Sequence, residues 1–327
     1  MDKRSRETLR RVEQNVLALT EMWIGASQDD SRPRGGFASS KGSDYSKLGR
    51  CIDHNTRLTT LMVYIDGFGS IIFPNRDFVE GLRGNSTIYD LHINCDYTNI
   101  VGGIGQKILN AYQENNNLSV LRIQQAGLQN GGDHLIGDVL RRCTNLNQIR
   151  LPLCNISNEQ IVPIVDAIRG HTSLWLLELD LNRIGNAHCV AISSLLQDPN
   201  CRLHTLNLKN NSIRNEGATS LANSLARNNR LRELYLGGNP IDQSVYDAFF
   251  GWNMEGDGEQ DLKALPYILD WFDRAVHILH WHDKAGKANI DRRKLDTIYQ
   301  FANVMPLLFV PGLHIKEGNN NKRKRAE

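Results

Sequence analysis

With 327 residues and 37.0 kDa, of which 40% are hydrophobic and 23% charged, the chain is long enough to bury a large core without staples, and disorder along most of its length is excluded. Its 38 Lys and Arg against 36 Asp and Glu leave a net charge of +2, so the overall balance calls for neither nucleic acid nor an anionic membrane surface. The apolar stretch 304–313 is broken by Pro306, Pro311 and Gly312 and is shorter than the ~20 residues of a spanning helix, so no membrane partner is expected.

Taken in chain order, residues 5–24 carry Leu9, Val12, Val16, Leu19 and Trp23 at helical spacing among charges, which predicts an N-terminal amphipathic helix within 1–24. The stretch that follows, rich in Gly, Ser and charge, predicts a flexible linker over 25–50. Charged residues run on to Glu13 without a sustained apolar core, so no secretory signal is expected. Cys51, Cys95, Cys143, Cys154, Cys189 and Cys201 are scattered without a CxxC pair or companion histidines. Free buried thiols in a reducing compartment, cytoplasmic or nuclear, are the expectation, and a metal site is not.

From 51 to 250 the chain repeats. The pattern L-x-x-L-x-L starts at Leu58, Ile88, Leu118, Leu146, Leu174, Leu203 and Leu231, with spacings of 30, 30, 28, 28, 29 and 28. Eight residues after each start the last four copies carry Cys154, Asn182, Asn211 and Asn239, followed two residues on by Ile156, Ile184, Ile213 and Ile241. The fourth and sixth positions of each copy point inward from a short strand and their neighbours outward. The Asn amide serves backbone groups that the turn would otherwise leave unpaired. Behind each turn comes a helical stripe, such as Ile161, Ile164, Val165 and Ile168, or Ala191, Ile192, Leu195 and Leu196, or Ala218, Leu221, Ala222 and Leu225.

These residues are the leucine-rich repeat signature L-x-x-L-x-L-x-x-N/C-x-L. Over about 58–250 the chain resembles the ribonuclease-inhibitor class of leucine-rich repeat proteins, most closely in LHTLNLKNNSIRNEGATSLANSLARN, with Gly217 and Ala218 opening the helix. The resemblance implies an α/β solenoid of about seven repeats: a right-handed horseshoe with a parallel sheet on its concave face and helices on its convex face. The first two repeats depart from the pattern, with Asp66 and Asp96 at the Asn position.

Beyond the repeats, Leu262, Leu265, Ile268, Leu269, Phe272, Val276 and Leu279, then Leu295, Ile298, Tyr299 and Ala302, predict a helical cap over 251–315, covering the exposed end of the array. Residues 316–327 read as a disordered basic tail. Within it Lys322, Arg323, Lys324 and Arg325 have the composition of a nuclear import signal, or equally of a solvated terminus. Asp273, His277, His280 and His282 share a helical pattern, but no fourth ligand or supporting partner can be named, and packing against the last repeat explains them better than a metal. Gly102 to Lys107 has only a fragment of a phosphate-binding loop, and a repeat turn opening its helix accounts for it. No G-x-S-x-G, H-E-x-x-H or paired-carboxylate motif occurs, so no catalysis, small-molecule substrate or cofactor is expected, and the basic residues lack the interleaved aromatics of a nucleic-acid surface.

The outward strand positions are the candidate site. Arg122, Arg150, Trp175, Glu178, Asp180, Asn207, Lys209 and Tyr235 are the residues expected to bind a protein partner, because stacked repeats align such positions into rows and Arg, Tyr and Trp are enriched at interface hot spots. The expected function is thus a non-enzymatic protein-interaction scaffold. Two alternatives stand beside it. The same repeat class includes the activator of the Ran GTPase, although this chain has fewer repeats and no identifiable acidic tail. A ligase substrate adaptor would need an N-terminal recruiting helix set.

Overall fold

The computed structural model describes residues 1–25, 36–65, 76–95 and 100–242, except 102, 129, 157, 226, 227 and 229, together with 245, 261 and 262. Helix α1 (Lys3–Glu13) precedes strands β1 (Glu21–Ile24) and β2 (Gly36–Phe37) and helix α2 (Gly42–Asp53). Strand and helix then alternate through β3 (Thr60–Tyr64), α3 (Arg76–Gly84), β4 (Asp90–Asn94), α4 (Ile104–Asn115), β5 (Val120–Gln124) and α5 (Gly132–Arg142). The alternation continues through β6 (Gln148–Arg150), α6 (Asn158–Arg169), β7 (Leu176–Glu178), α7 (Asn186–Leu196), β8 (Thr205–Asn207), α8 (Asn215–Leu225) and β9 (Glu233–Tyr235), and β10 (Asp261–Leu262) closes the far edge. The sheet order is β10-β9-β8-β7-β6-β5-β4-β3-β1-β2, parallel throughout except for β10, which pairs antiparallel with β9.

The core is the row of inward strand positions against the helix stripes. Leu61, Leu91, Leu121, Ile149, Leu177, Leu206 and Leu234 stack one per repeat, and Val63, Ile93, Ile123, Leu151, Leu179, Leu208 and Leu236 form the next row; all are buried. The helix stripes read from the sequence are buried as expected, Ala191 only in part. Each repeat leans on its neighbour. Between α2 and α3 the approach is close enough that a Cβ on Gly49 would lie 2.5 Å from Phe78 Cα, and one on Gly81 would collide with the Gly49 carbonyl oxygen.

Two polar ladders hold the strand ends. After the strands, the Asn182 side chain accepts from Cys154 N and Ile156 N and donates to the carbonyls of Leu151, Leu179 and Asp180. Asn211 and Asn239 repeat the arrangement one and two repeats on. The residue before that position is left-handed in five successive repeats: Gln125, Leu153, Leu181, Asn210 and Gly238 have φ of 54°, 57°, 57°, 52° and 73°. Before the strands a second ladder occurs. Asn55, Asn85 and Asn228 each receive two backbone N–H groups on Oδ1 and donate Nδ2 to a carbonyl of the preceding turn of the array. His171 takes the same place, its Nδ1 receiving Leu174 N and its Nε2 lying 3.1 Å from the Cys143 carbonyl.

The N-terminal end differs from the sequence reading. The helix expected over 5–24 ends at Glu13, where Asn15 turns left-handed (φ 52°), and Glu21–Ile24 is a sheet strand. Leu19, Met22 and Ile24 are buried at the inward positions of the repeat pattern, so LTEMWI is a further repeat strand. Within the expected linker, residues 36–50 contain β2 and most of α2. Tyr45 packs edge-on against Phe37 at 5.3 Å and Phe78 at 6.3 Å, and these few large side chains anchor an otherwise polar stretch. Helix α1 covers the sheet edge, with Thr8 Oγ1 donating to the Gly36 carbonyl and Ser5 Oγ accepting from Ala38 N.

At the other end Leu262, the first apolar position of the expected cap helix, belongs to β10 instead. The rest of that cap, the basic tail with Lys322, Arg323, Lys324 and Arg325, the histidine cluster, and Asp66 and Asp96 lie outside the described residues.

Candidate protein-binding face

Strand register decides which outward side chains meet. Trp23, Met62, His92, Arg122, Arg150, Glu178, Asn207 and Tyr235 are consecutive partners across β1, β3, β4, β5, β6, β7, β8 and β9. They form one continuous row on the face of the sheet away from the helices, with strands ~4.8 Å apart. Five of the eight residues expected from the sequence lie in this row: Arg122, Arg150, Glu178, Asn207 and Tyr235.

Asp180 and Lys209 lie two residues beyond it, where the chain leaves the strand. Trp175 lies elsewhere, just before β7. Its N–H donates to the Asn147 carbonyl and its own carbonyl receives both His204 N and Thr205 N, in a chain of backbone bonds that runs from Thr20 to Arg232 along the strand starts. Trp175 is therefore half-buried at the rim, beside His204, whose pKa is lowered by burial and by the charges of Arg232 and Arg230.

Most charges of the row are internally matched. Arg150 donates to Glu178 Oε1 at 3.0 Å and to Gln148 Oε1 at 2.9 Å. Lys209 Nζ sits 5.2 Å from the centre of the Tyr235 ring, a cation–π contact, while Tyr235 Oη and Thr205 Oγ1 both donate to Glu233. His92 Nε2 lies 2.9 Å from Asp90 Oδ1, a polar contact outside hydrogen-bond alignment. Burial raises the Glu178 carboxyl above its usual range although Arg150 opposes it, and burial likewise raises Asp180 against the pull of its own backbone N–H, Arg122 and Lys209. The face is thus partly desolvated already, which strengthens any charge contact made on it.

Arg122 is the exception. Among the described residues it makes no hydrogen bond or ion pair, and its Nε is buried. A buried donor left without a partner costs about 1–3 kcal/mol. It borders a groove of about 300 Å³ formed with Trp23, Met62, Tyr64, His92, Asn94 and Gln124. Trp23, Met62 and Tyr64 were not among the expected site residues. The signal for Trp23 was LTEMWI at 19–24, which carries the same alternation as LTTLMV but begins 39 residues before Leu58 instead of at the 28–30 spacing of the others, while Met62 and Tyr64 hold outward places on the strand of LTTLMV itself.

The architecture is that of a leucine-rich repeat solenoid, with one strand and one helix per repeat and the Asn ladder between them. No family model matches the chain, and no curated protein sequence matches it. Among solved structures it is similar to a protein of Bacteroides fragilis, at 12% identity and a TM-score of 0.40 over 64% of this chain and 69% of that one. It is also similar to an internalin of Listeria monocytogenes, at 14% identity and a TM-score of 0.27 over 74% and 90% of the two chains. A plant peptide hormone receptor follows at 11% identity and a TM-score of 0.19, over 67% and 46%. The assignment of class rests on this chain's own register and ladders rather than on those likenesses.

Proposed function

We propose that the protein is a non-enzymatic scaffold of the ribonuclease-inhibitor type, which binds a protein partner on the concave face of its sheet. The observation that carries this reading is the eight-residue row from Trp23 to Tyr235, solvent-facing, in unbroken register, and bearing both charge signs together with aromatic side chains. Curved arrays present such rows as extended interfaces, and Arg, Tyr and Trp supply their energy. The subtype reading is supported by the helices α3 to α8, of 9 to 12 residues, between successive strands. Six unpaired cysteines favour a reducing compartment, cytoplasmic or nuclear.

Crosslinking and mass spectrometry on the full chain would identify the partner. The double variant Arg150→Glu with Tyr235→Ala reverses one charge and removes one ring on the face without touching the core, so it should lose that partner while keeping its circular dichroism and melting temperature. Retention of every partner by a folded double variant would remove the concave face from consideration.

A further inference from the structure

We infer that the groove between Trp23 and Arg122 is a docking site for an extended peptide of a partner protein, carrying an apolar side chain and, four residues away, a carboxylate. The inference rests on the concave-face reading and names the chemistry it selects.

The groove has two unlike ends. Trp23, 39% exposed, and Met62 form an apolar end with Tyr64, while the Arg122 guanidinium supplies the charge of the other end, and no carboxylate lines it among the described residues. Elsewhere on the face Arg150 is answered by Glu178, and Lys209, two residues beyond the row, lies over the Tyr235 ring. Glu178 and Asp180 act on Arg122 electrostatically, but Glu178 is held by Arg150 and neither borders the groove. Arg122 is thus a partly buried guanidinium whose buried Nε finds no hydrogen-bond partner among the described residues, at the mouth of a cavity that fits one or two side chains. A carboxylate satisfies it with the planar geometry a guanidinium favours.

The spacing follows from the sheet. Trp23 and Arg122 are three strand steps apart through Met62 and His92, which is roughly 14 Å at a strand separation of about 4.8 Å. An extended chain crossing the strands advances about 3.3 Å per residue, so about four residues cover that span. Gln124, two residues beyond Arg122 on the same strand, also lines the groove, where its side-chain amide offers hydrogen bonds to a crossing backbone. A nucleic-acid strand fits less well, because its phosphates would continue along the row onto Glu178.

The test is selection from a random dodecapeptide library on the full-length chain, followed by fluorescence anisotropy with one enriched synthetic peptide. Enriched sequences should share an aromatic or aliphatic residue four positions from Asp or Glu. Arg122→Gln should weaken the synthetic peptide at least tenfold, and so should Glu→Gln in the peptide, with the two changes together no worse than either alone. Arg122→Lys should fall between, and Trp23→Ala should weaken binding through the apolar end; circular dichroism verifies that each variant is folded. No enrichment, enrichment without an acid, additive losses, or tighter binding of a 12-nucleotide single strand in competition would each overturn the inference. Peptides kept by Arg122→Gln but lost by Arg150→Glu with Tyr235→Ala would overturn the groove while leaving the concave face standing.

Discussion

Replacing Asn182 by Ala isolates what one rung of the ladder contributes. The side chain makes five hydrogen bonds of 2.8 to 3.1 Å to backbone groups of its own and the preceding repeat. Not all five groups are orphaned by its loss, because the Leu179 carbonyl keeps the amide of Asn211 at 2.9 Å. Cys154 N, Ile156 N and the Leu151 carbonyl lose the bond that Asn182 gives them. At about 1–3 kcal/mol for each buried group left unpaired, and with water able to enter the space of the lost amide, the cost is about 3 kcal/mol. For a domain of this size 1 kcal/mol moves the melting temperature by about 2–4 °C, so the variant should melt ~6–12 °C lower. Cys154→Ala is the control in the same ladder. Its thiol lies 3.2 Å from the Ile123 carbonyl and 3.5 Å from that of Pro152, and a thiol is a weak donor, so about 1 kcal/mol or less is expected. Because repeats contact only their neighbours, hydrogen exchange in the Asn182 variant should accelerate first around Leu151 to Ile184. A fall of under 2 °C in circular-dichroism melts, or one no larger than that of Cys154→Ala, would refute the account of the ladder.

Leu181 is 42% exposed and left-handed at φ 57°, where Asn210 stands one repeat later, so Leu181→Asn should stabilise by about 0.5–1 kcal/mol, and a lower urea midpoint would contradict this. Burial pushes the thiols of Cys95, Cys154 and Cys189 up to about 12 and that of Cys143 to about 11, while Cys51 is only half-buried. At pH 8 the native protein should therefore expose one thiol to a disulfide reagent, and all six only on unfolding. Asp180 has a folded pKa raised above its ordinary 3.8, chiefly by burial, so the unfolded chain loses this proton first as pH rises. Its contribution is most favourable below that value and is lost as pH climbs through the folded pKa; Asp180→Asn should be at least as stable at pH 7 and show a shallower decline of melting temperature above pH 3.8. An unchanged pH profile would count against that burial effect.

The repeats from β3 to β9 were legible because each carries the same alternation at nearly constant spacing, and a period is robust to any single substitution. The first repeat was not, for two physical reasons. Its strand LTEMWI follows a real helix whose spacing continues smoothly onto Leu19 and Trp23, so a change of period from helix to strand is hidden. Its α2 helix buries only Tyr45, Leu48, Gly49 and Ile52 amid Ser, Lys and Asp, a composition that resembles a linker until Phe37 and Phe78 are seen around the ring of Tyr45. The second ladder was missed because it lies outside the L-x-x-L-x-L core: Asn55, Asn85 and Asn228 stand three residues before a repeat start, and His171 takes that place in another repeat. Within the site, alternation predicted which side chains face outward. Register was needed to separate Trp175 from Arg150, since Arg150 pairs with Glu178 and Trp175 stands before that strand begins.

The two ladders also explain why the concave row is free to encode recognition. At one end Asn182, Asn211 and Asn239 satisfy the turns after the strands; at the other Asn55, Asn85 and Asn228 satisfy the turns before them. Inward leucines fill the space between. The ladders' bonds to the backbone fall on none of the side chains of the outward row, of which Asn207 accepts from Lys209 N, and the ion pair of Arg150 with Glu178, both partly exposed, contributes little to folding. Substitutions in the ladder should lower stability before they touch binding, whereas substitutions in the row should change binding with the melting temperature nearly fixed. On such a face an internally matched charge such as Arg150 sets the background against which a partner is oriented. A cation whose buried Nε has no partner among the described residues, as in Arg122, marks where the partner supplies one.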